Sequence, residues 1–103
     1  MSMNLDKMQE AAQKASELMK LLGHPDRLMI LCELKSGEQS VGQLTDKIGI
    51  SQSLVSQHLA RMRYADVVST RRDAQVVYYT LKEGPAAIMI DTTYNIFCKD
   101  DAD

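Results

Sequence analysis

The chain has 103 residues, 45% of them apolar, and a formal net charge of −2 at pH 7. That is one domain's worth of chain, with material for a modest core of the kind that oligomerisation commonly reinforces. It holds no apolar run of about 18 residues to span a membrane and no basic stretch followed by an apolar one for export, so a cytoplasmic location is expected.

Residues 5 to 22 place Leu5, Met8, Ala12, Ala15, Met19 and Leu22 in alternating steps of three and four, the seam of an amphipathic helix. The seam is narrow and rich in Ala and Met, which suits close packing against another helix, either in the chain's own core or across a dimer. Gly23-His24-Pro25-Asp26 ends that helix and starts the next: Gly suits the residue after a helix, Pro the first turn, and Asp the positive end. Leu28, Leu31, Cys32 and Leu34 line a short second helix that stops before Gly37. Ser40 reads as an N-cap with Gln43 completing a capping box, and Val41, Leu44 and Ile48 face inward before Gly49 ends the third helix. Ser51 caps the fourth, in which Val55, Leu59 and Met62 share one side with Leu54 at its flank.

The opposite side of that fourth helix carries Ser53, Ser56, Gln57, Ala60, Arg61 and Tyr64, with no carboxylate. A solvated bundle helix ordinarily covers such a face with Glu and Lys. Short hydroxyls, an amide and one long cation suit contact with base edges instead, because Ser and Gln both donate and accept and Gln can pair bidentately with adenine. Residues 40 to 64 thus read as a helix-turn-helix, whose second helix can enter a DNA major groove. Val67 to Arg72 and Gln75 to Leu81, separated by a polar Asp73-Ala74 turn, read as a β-hairpin, so the whole is a winged helix-turn-helix, mainly α with a small β-hairpin. Gly84-Pro85 opens a last helix whose Ile88, Met89, Ile90, Tyr94, Phe97 and Cys98 are too apolar for a free surface; the tail from Lys99 to Asp103 is expected to fray.

Charge is divided along the chain. Residues 51 to 72 hold Arg61, Arg63, Arg71 and Arg72 against Asp66 alone, whereas residues 82 to 103 hold two lysines against five acidic groups. A basic stripe on an acidic body can face phosphates while the remainder keeps the protein soluble. The DNA contacts are therefore assigned to Gln52, Ser53, Ser56 and Gln57 for sequence choice, and to Arg61, Arg71 and Arg72 for phosphates. Arg63 lies nearer the core side and is weighted less.

The stretches LLGHPDRLMILCEL, SVGQLTDKIGISQSLVSQHLARMR and VVSTRRDAQVVYYTL resemble the ArsR family of bacterial winged-helix repressors over about residues 15 to 81. The resemblance implies a homodimer on a palindromic double-stranded operator, released by an inducer. It also implies dimerisation through residues 1–22 and 84–98, a helix-turn-helix at 40–64 and a wing at 67–81.

The family's metal sites are not matched. Where a thiolate-type site would need a Cys-x-Cys pair, this chain has Ser40, Val41 and Gly42, and where a last-helix site would need Asp and His it offers Asp91 without a His. His24 and His58 read as structural, neither having a second ligand at useful spacing, so no metal and no cofactor are expected. Cys32 and Cys98, too few for a disulfide scaffold and too far apart for a metal knuckle, instead match the positions of a two-cysteine subgroup resembling sensors of reactive sulfur species or oxidants. That resemblance implies a redox switch at Cys32 and Cys98, with the reactive sulfur species or oxidant as inducer. Lys99, beside Cys98, is a cation that can favour its thiolate. The competing readings are a family regulator without a thiol switch, either effector-independent or metal-responsive; a small thiol enzyme; and a winged helix that binds protein only. No clustered acid–base pair, phosphate loop or active-site loop around either cysteine supports an enzyme.

Overall fold

The computed structural model describes residues 4–98; the readings made for Lys99 and the acidic tail lie outside them. Five helices, α1 (Leu5–Leu22), α2 (Pro25–Leu34), α3 (Val41–Ile48), α4 (Gln52–Tyr64) and α5 (Pro85–Phe97), surround three strands, β1 (Gln39–Ser40), β2 (Val68–Asp73) and β3 (Val76–Leu81). The fold is a winged helix-turn-helix. None of the described helices is long and apolar enough to cross a membrane.

Local chemistry sets the boundaries. Asn4 caps α1 by accepting from the Lys7 N–H at 2.8 Å. Ser40 and Gln43 form the reciprocal capping box at the start of α3, the Gln43 N–H donating to Ser40 Oγ at 3.2 Å and the Ser40 N–H to Gln43 Oε1 at 2.9 Å. Gly49 then closes α3 with φ at 83°, a left-handed conformation in which a side chain would be strained, and its N–H donates to the Thr45 carbonyl at 2.9 Å. Two residues later Ser51 accepts from the Leu54 N–H and α4 begins.

The core sits where α2, α3 and α4 meet the sheet. Ile30, Leu31, Leu44, Val55, Leu59, Met62 and Ile90 are fully buried. Each such side chain contributes about 1.5–3 kcal/mol by leaving water. The row Val55, Leu59 and Met62 fixes the rotation of α4 about its axis, and so fixes which residues face out.

Several expectations are corrected. The sheet has three strands in the order β1-β3-β2, because the two residues before α3 pair antiparallel with Tyr78 and Tyr79. The hairpin turn is Ala74-Gln75, since Asp73 still pairs with Val76; Ala74 takes φ 57°, and no glycine is present to signal that register. The α1 seam is not core over most of its length: Leu5, Met8 and Met19 are 66%, 52% and 59% exposed, and only the last turn, through Leu18, Leu21 and Leu22, reaches the core. Ile90, which the resemblance groups with the dimerisation segment 84–98, is buried in its own chain's core, while Ile88, Ile96 and Phe97 are exposed.

Candidate functional site

With Val55, Leu59 and Met62 buried, Gln52, Ser53, Ser56, Gln57, Ala60, Arg61 and Tyr64 all lie on the solvent side of α4. The Gln57 amide donates to Ser53 Oγ at 3.3 Å across one helical turn. That leaves the Gln57 carbonyl oxygen and a second N–H for another partner. Arg61 and Arg63 occupy the last turn, where their charge also complements the negative helix end.

The wing places Arg71 and Arg72 near the hairpin tip, opposite Tyr78 and Val77. Neighbours on a strand point to opposite faces, so the two arginines diverge. Both are exposed, but their surroundings differ. Arg71 forms a two-pronged salt bridge with Glu38 and lies over the Tyr78 ring, 4.8 Å from its centroid. The hydrogen bond from Arg71 holds the Glu38 carboxyl below its ordinary value. Arg72 has no ion-pair partner among the described residues. Sequence spacing offers no sign of Glu38, which meets Arg71 only because β1 joins the sheet.

The two cysteines are free thiols in different settings, Cys32 half-buried on α2 and Cys98 exposed at the end of α5. Burial raises the Cys32 thiol above its ordinary value; Cys98 and Glu33 raise it further, and Lys35 opposes them. Cys98 follows Tyr94 by one turn and donates its backbone N–H to the Tyr94 carbonyl at 2.8 Å. Tyr94 in turn lines a cleft of about 360 Å³ with Cys32, Lys35 and Ser36. Lys35 bridges α2 and α5, its Nζ lying 2.8 Å from Asp91 and 4.0 Å from the Tyr94 ring centroid. Cys32 thus lies at the α2–α5 junction, and Cys98, one turn beyond Tyr94, is near enough to act on its titration.

The histidines are less isolated than their spacing suggested. His24, Asp26 and His58 offer ligand-type atoms within 4.8 Å of one another, so His58 gains two potential co-ligands from the start of α2. His24 is the α2 N-cap, its Nδ1 accepting from the Asp26 N–H at 3.1 Å, and its ring lies 4.6 Å from that of His58. Arg27 Nε donates to His58 Nδ1 at 3.2 Å, while His58 Nε2 lies 3.7 Å from Asp26 Oδ2. The imidazole proton is therefore on Nε2. A metal at either nitrogen would have to expel Arg27 or strip the ring of its last proton.

A sequence profile described as bacterial regulatory protein, arsR family, matches residues 24–70. The chain is 42% identical to the biofilm growth-associated repressor of Xylella fastidiosa over 96 residues, covering 93% of this chain and 84% of that one. It is 41% identical to the transcriptional activator HlyU of Vibrio cholerae over 97 residues, covering 94% and 90%. Among solved structures, reduced HlyU from Vibrio cholerae superposes with a TM-score of 0.87 at 40% identity, covering 92% of this chain and 100% of that one. The Xylella fastidiosa repressor BigR superposes with a TM-score of 0.86 at 40% identity, covering 95% and 97%.

Proposed function

Because the chain belongs to the arsR family of bacterial regulatory proteins and is a DNA-binding transcriptional regulator, we propose that it is a homodimeric repressor whose operator binding is switched by the Cys32–Cys98 pair. The observation that carries the DNA assignment is the outward face of α4: two serines, two glutamines and an arginine with no carboxylate, held outward by a fully buried apolar row. Gln52, Ser53, Ser56 and Gln57 read base edges, and Arg61, Arg72 and, once released from Glu38, Arg71 contact phosphates. The exposed apolar side chains of α1 and α5 support a symmetric dimer, whose two α4 helices would stand about 34–36 Å apart, one turn of duplex.

The different settings of the cysteines support different parts in the switch. Cys98, exposed, meets the inducer. Its thiolate attacks the terminal sulfur of a persulfide, RS–SH, releasing RS⁻ and leaving Cys98–S–SH. The Cys32 thiolate then attacks Cys98 Sγ, forming the Cys32–Cys98 disulfide and releasing HS⁻. Two protein thiols are oxidised, and the transferred sulfur leaves as sulfide. The half-buried Cys32, kept largely as thiol at neutral pH, is the slower, resolving partner. A bridge would tie α5 to α2, which packs on α3 and α4, and so bias the spacing of the reading helices.

Selection of bound sequences from a random duplex pool, followed by a mobility shift, tests the DNA assignment. A palindrome with half-sites one turn apart is expected. Binding that showed no preference over the starting pool would sink it.

A further inference from the structure

Beside the apolar packing of α2 on α4, one polar side chain of α2 bonds to both the reading helix and α1. Arg27 Nη1 donates to the Leu21 carbonyl at 2.7 Å, in the last turn of α1, while its Nε donates to His58 Nδ1 at 3.2 Å, in the middle of α4. One guanidinium thus satisfies an end carbonyl of α1 and holds the buried edge of α4. The planar fork suits this, since its donors leave in fixed directions and reach two helices at once.

His58 can accept only while its Nδ1 carries no proton. A second proton would set an N–H against the Arg27 N–H and a cation against a cation. The titratable and charged groups around this pair are His24 and Asp26 at the start of α2, Arg61 from α4, and Glu17 and Lys20 from α1; Glu17, Lys20, His24 and Arg61 line a cleft of about 440 Å³ with Arg27. Asp26 is the nearest compensating anion, its Oδ2 lying 3.7 Å from His58 Nε2, outside hydrogen-bonding range.

We infer that Arg27 is a positioning residue for DNA reading: through His58 it locks α4 to the end of α1, and the lock holds only while His58 is neutral. The inference rests on the DNA-binding assignment. Burial, followed by the charges of His24 and Arg27, keeps His58 below the ordinary imidazole value, while Asp26 pulls the other way. The folded chain therefore takes up this proton less readily than the unfolded one, so the lock is intact above about pH 6.5 and is lost as the pH falls through the window beneath it.

The test uses full-length protein and the duplex that the wild type selects from a random pool at pH 7.5. Affinity is measured between pH 7.5 and 5.5 for wild type, His58→Gln, His58→Leu and Arg27→Met, with helicity and oligomeric state recorded for each. Gln keeps an acceptor for Arg27 and does not titrate. His58→Gln is expected to bind within a few-fold of wild type at pH 7.5 and to lose about tenfold less affinity than wild type on acidification, within the range of coupling between sites. His58→Leu and Arg27→Met are expected to remain folded, to lose about tenfold at pH 7.5, and to discriminate less against random duplex. Identical pH profiles for wild type and His58→Gln would overturn the lock, as would wild-type affinity and selectivity in His58→Leu. If Arg27→Met fails to fold, the Gln and Leu variants decide. Failure of the wild type to select any duplex would overturn the DNA assignment, and the inference with it.

Discussion

Glu38, in the segment before β1, holds Arg71 of the wing through both prongs of its guanidinium while Tyr78 supports the flat face. The side chains are 38% and 52% exposed, so the pair does little for stability. Its effect falls on availability, because a guanidinium occupied by a carboxylate is not offered in full to a phosphate. Glu38→Gln is therefore expected to raise affinity for all duplexes several-fold and to steepen the salt dependence by about one charge, with little change in melting temperature. An unchanged salt slope in fluorescence titrations would show that Arg71 does not reach DNA.

Gln57 and Arg72 should separate sequence reading from phosphate contact. Gln57→Ala is expected to cost about 1–3 kcal/mol on the selected duplex and to narrow its advantage over random sequence. Arg72→Ala should weaken every duplex alike and flatten the salt slope by about one unit. The same titrations over a salt series check both.

The outward apolar residues of α1 and α5 give a third prediction. Met8→Glu and Ile88→Glu place charges on exposed positions and should yield folded monomers with much reduced DNA affinity. Ile90→Glu differs: it puts a carboxylate into a fully buried site and should unfold the protein, at a cost of several kcal/mol. Sedimentation and circular dichroism distinguish these outcomes, and a wild type that remains monomeric at micromolar concentration would contradict the dimer.

What could be read from the chain depended on the range of the interaction. The buried row of α4 follows from its 3.6-residue period, and the Ser40–Gln43 box spans only three residues, so both were legible. Ile90 was misplaced because α5 is apolar on more than one side, and periodicity does not tell a core-facing side from a partner-facing one. The two-residue β1 carries no pattern of its own. The turn was misread because Ala74 adopts a positive φ where a Gly or Asn would have announced it. Glu38 meets Arg71 across 33 residues and Arg27 meets His58 across 31, separations set by the assembled fold alone. For the same reason the cysteines could be matched to a pattern, but the half-buried and exposed settings that divide their roles could not be foreseen.

The central claim is most directly tested by a mobility shift on the selected duplex, with each sample treated with hydrogen polysulfide and then with dithiothreitol, and with intact-mass analysis alongside. Reduced Cys32→Ser and Cys98→Ser should bind like the wild type, since neither position belongs to α4 or to the wing. Polysulfide should release wild-type protein as the mass records a Cys32–Cys98 bridge, and dithiothreitol should restore binding. Cys32→Ser should accumulate persulfide at Cys98 and stay bound, and Cys98→Ser should react slowly and stay bound. Release of either single variant to the same extent as the wild type would contradict the two-thiol switch.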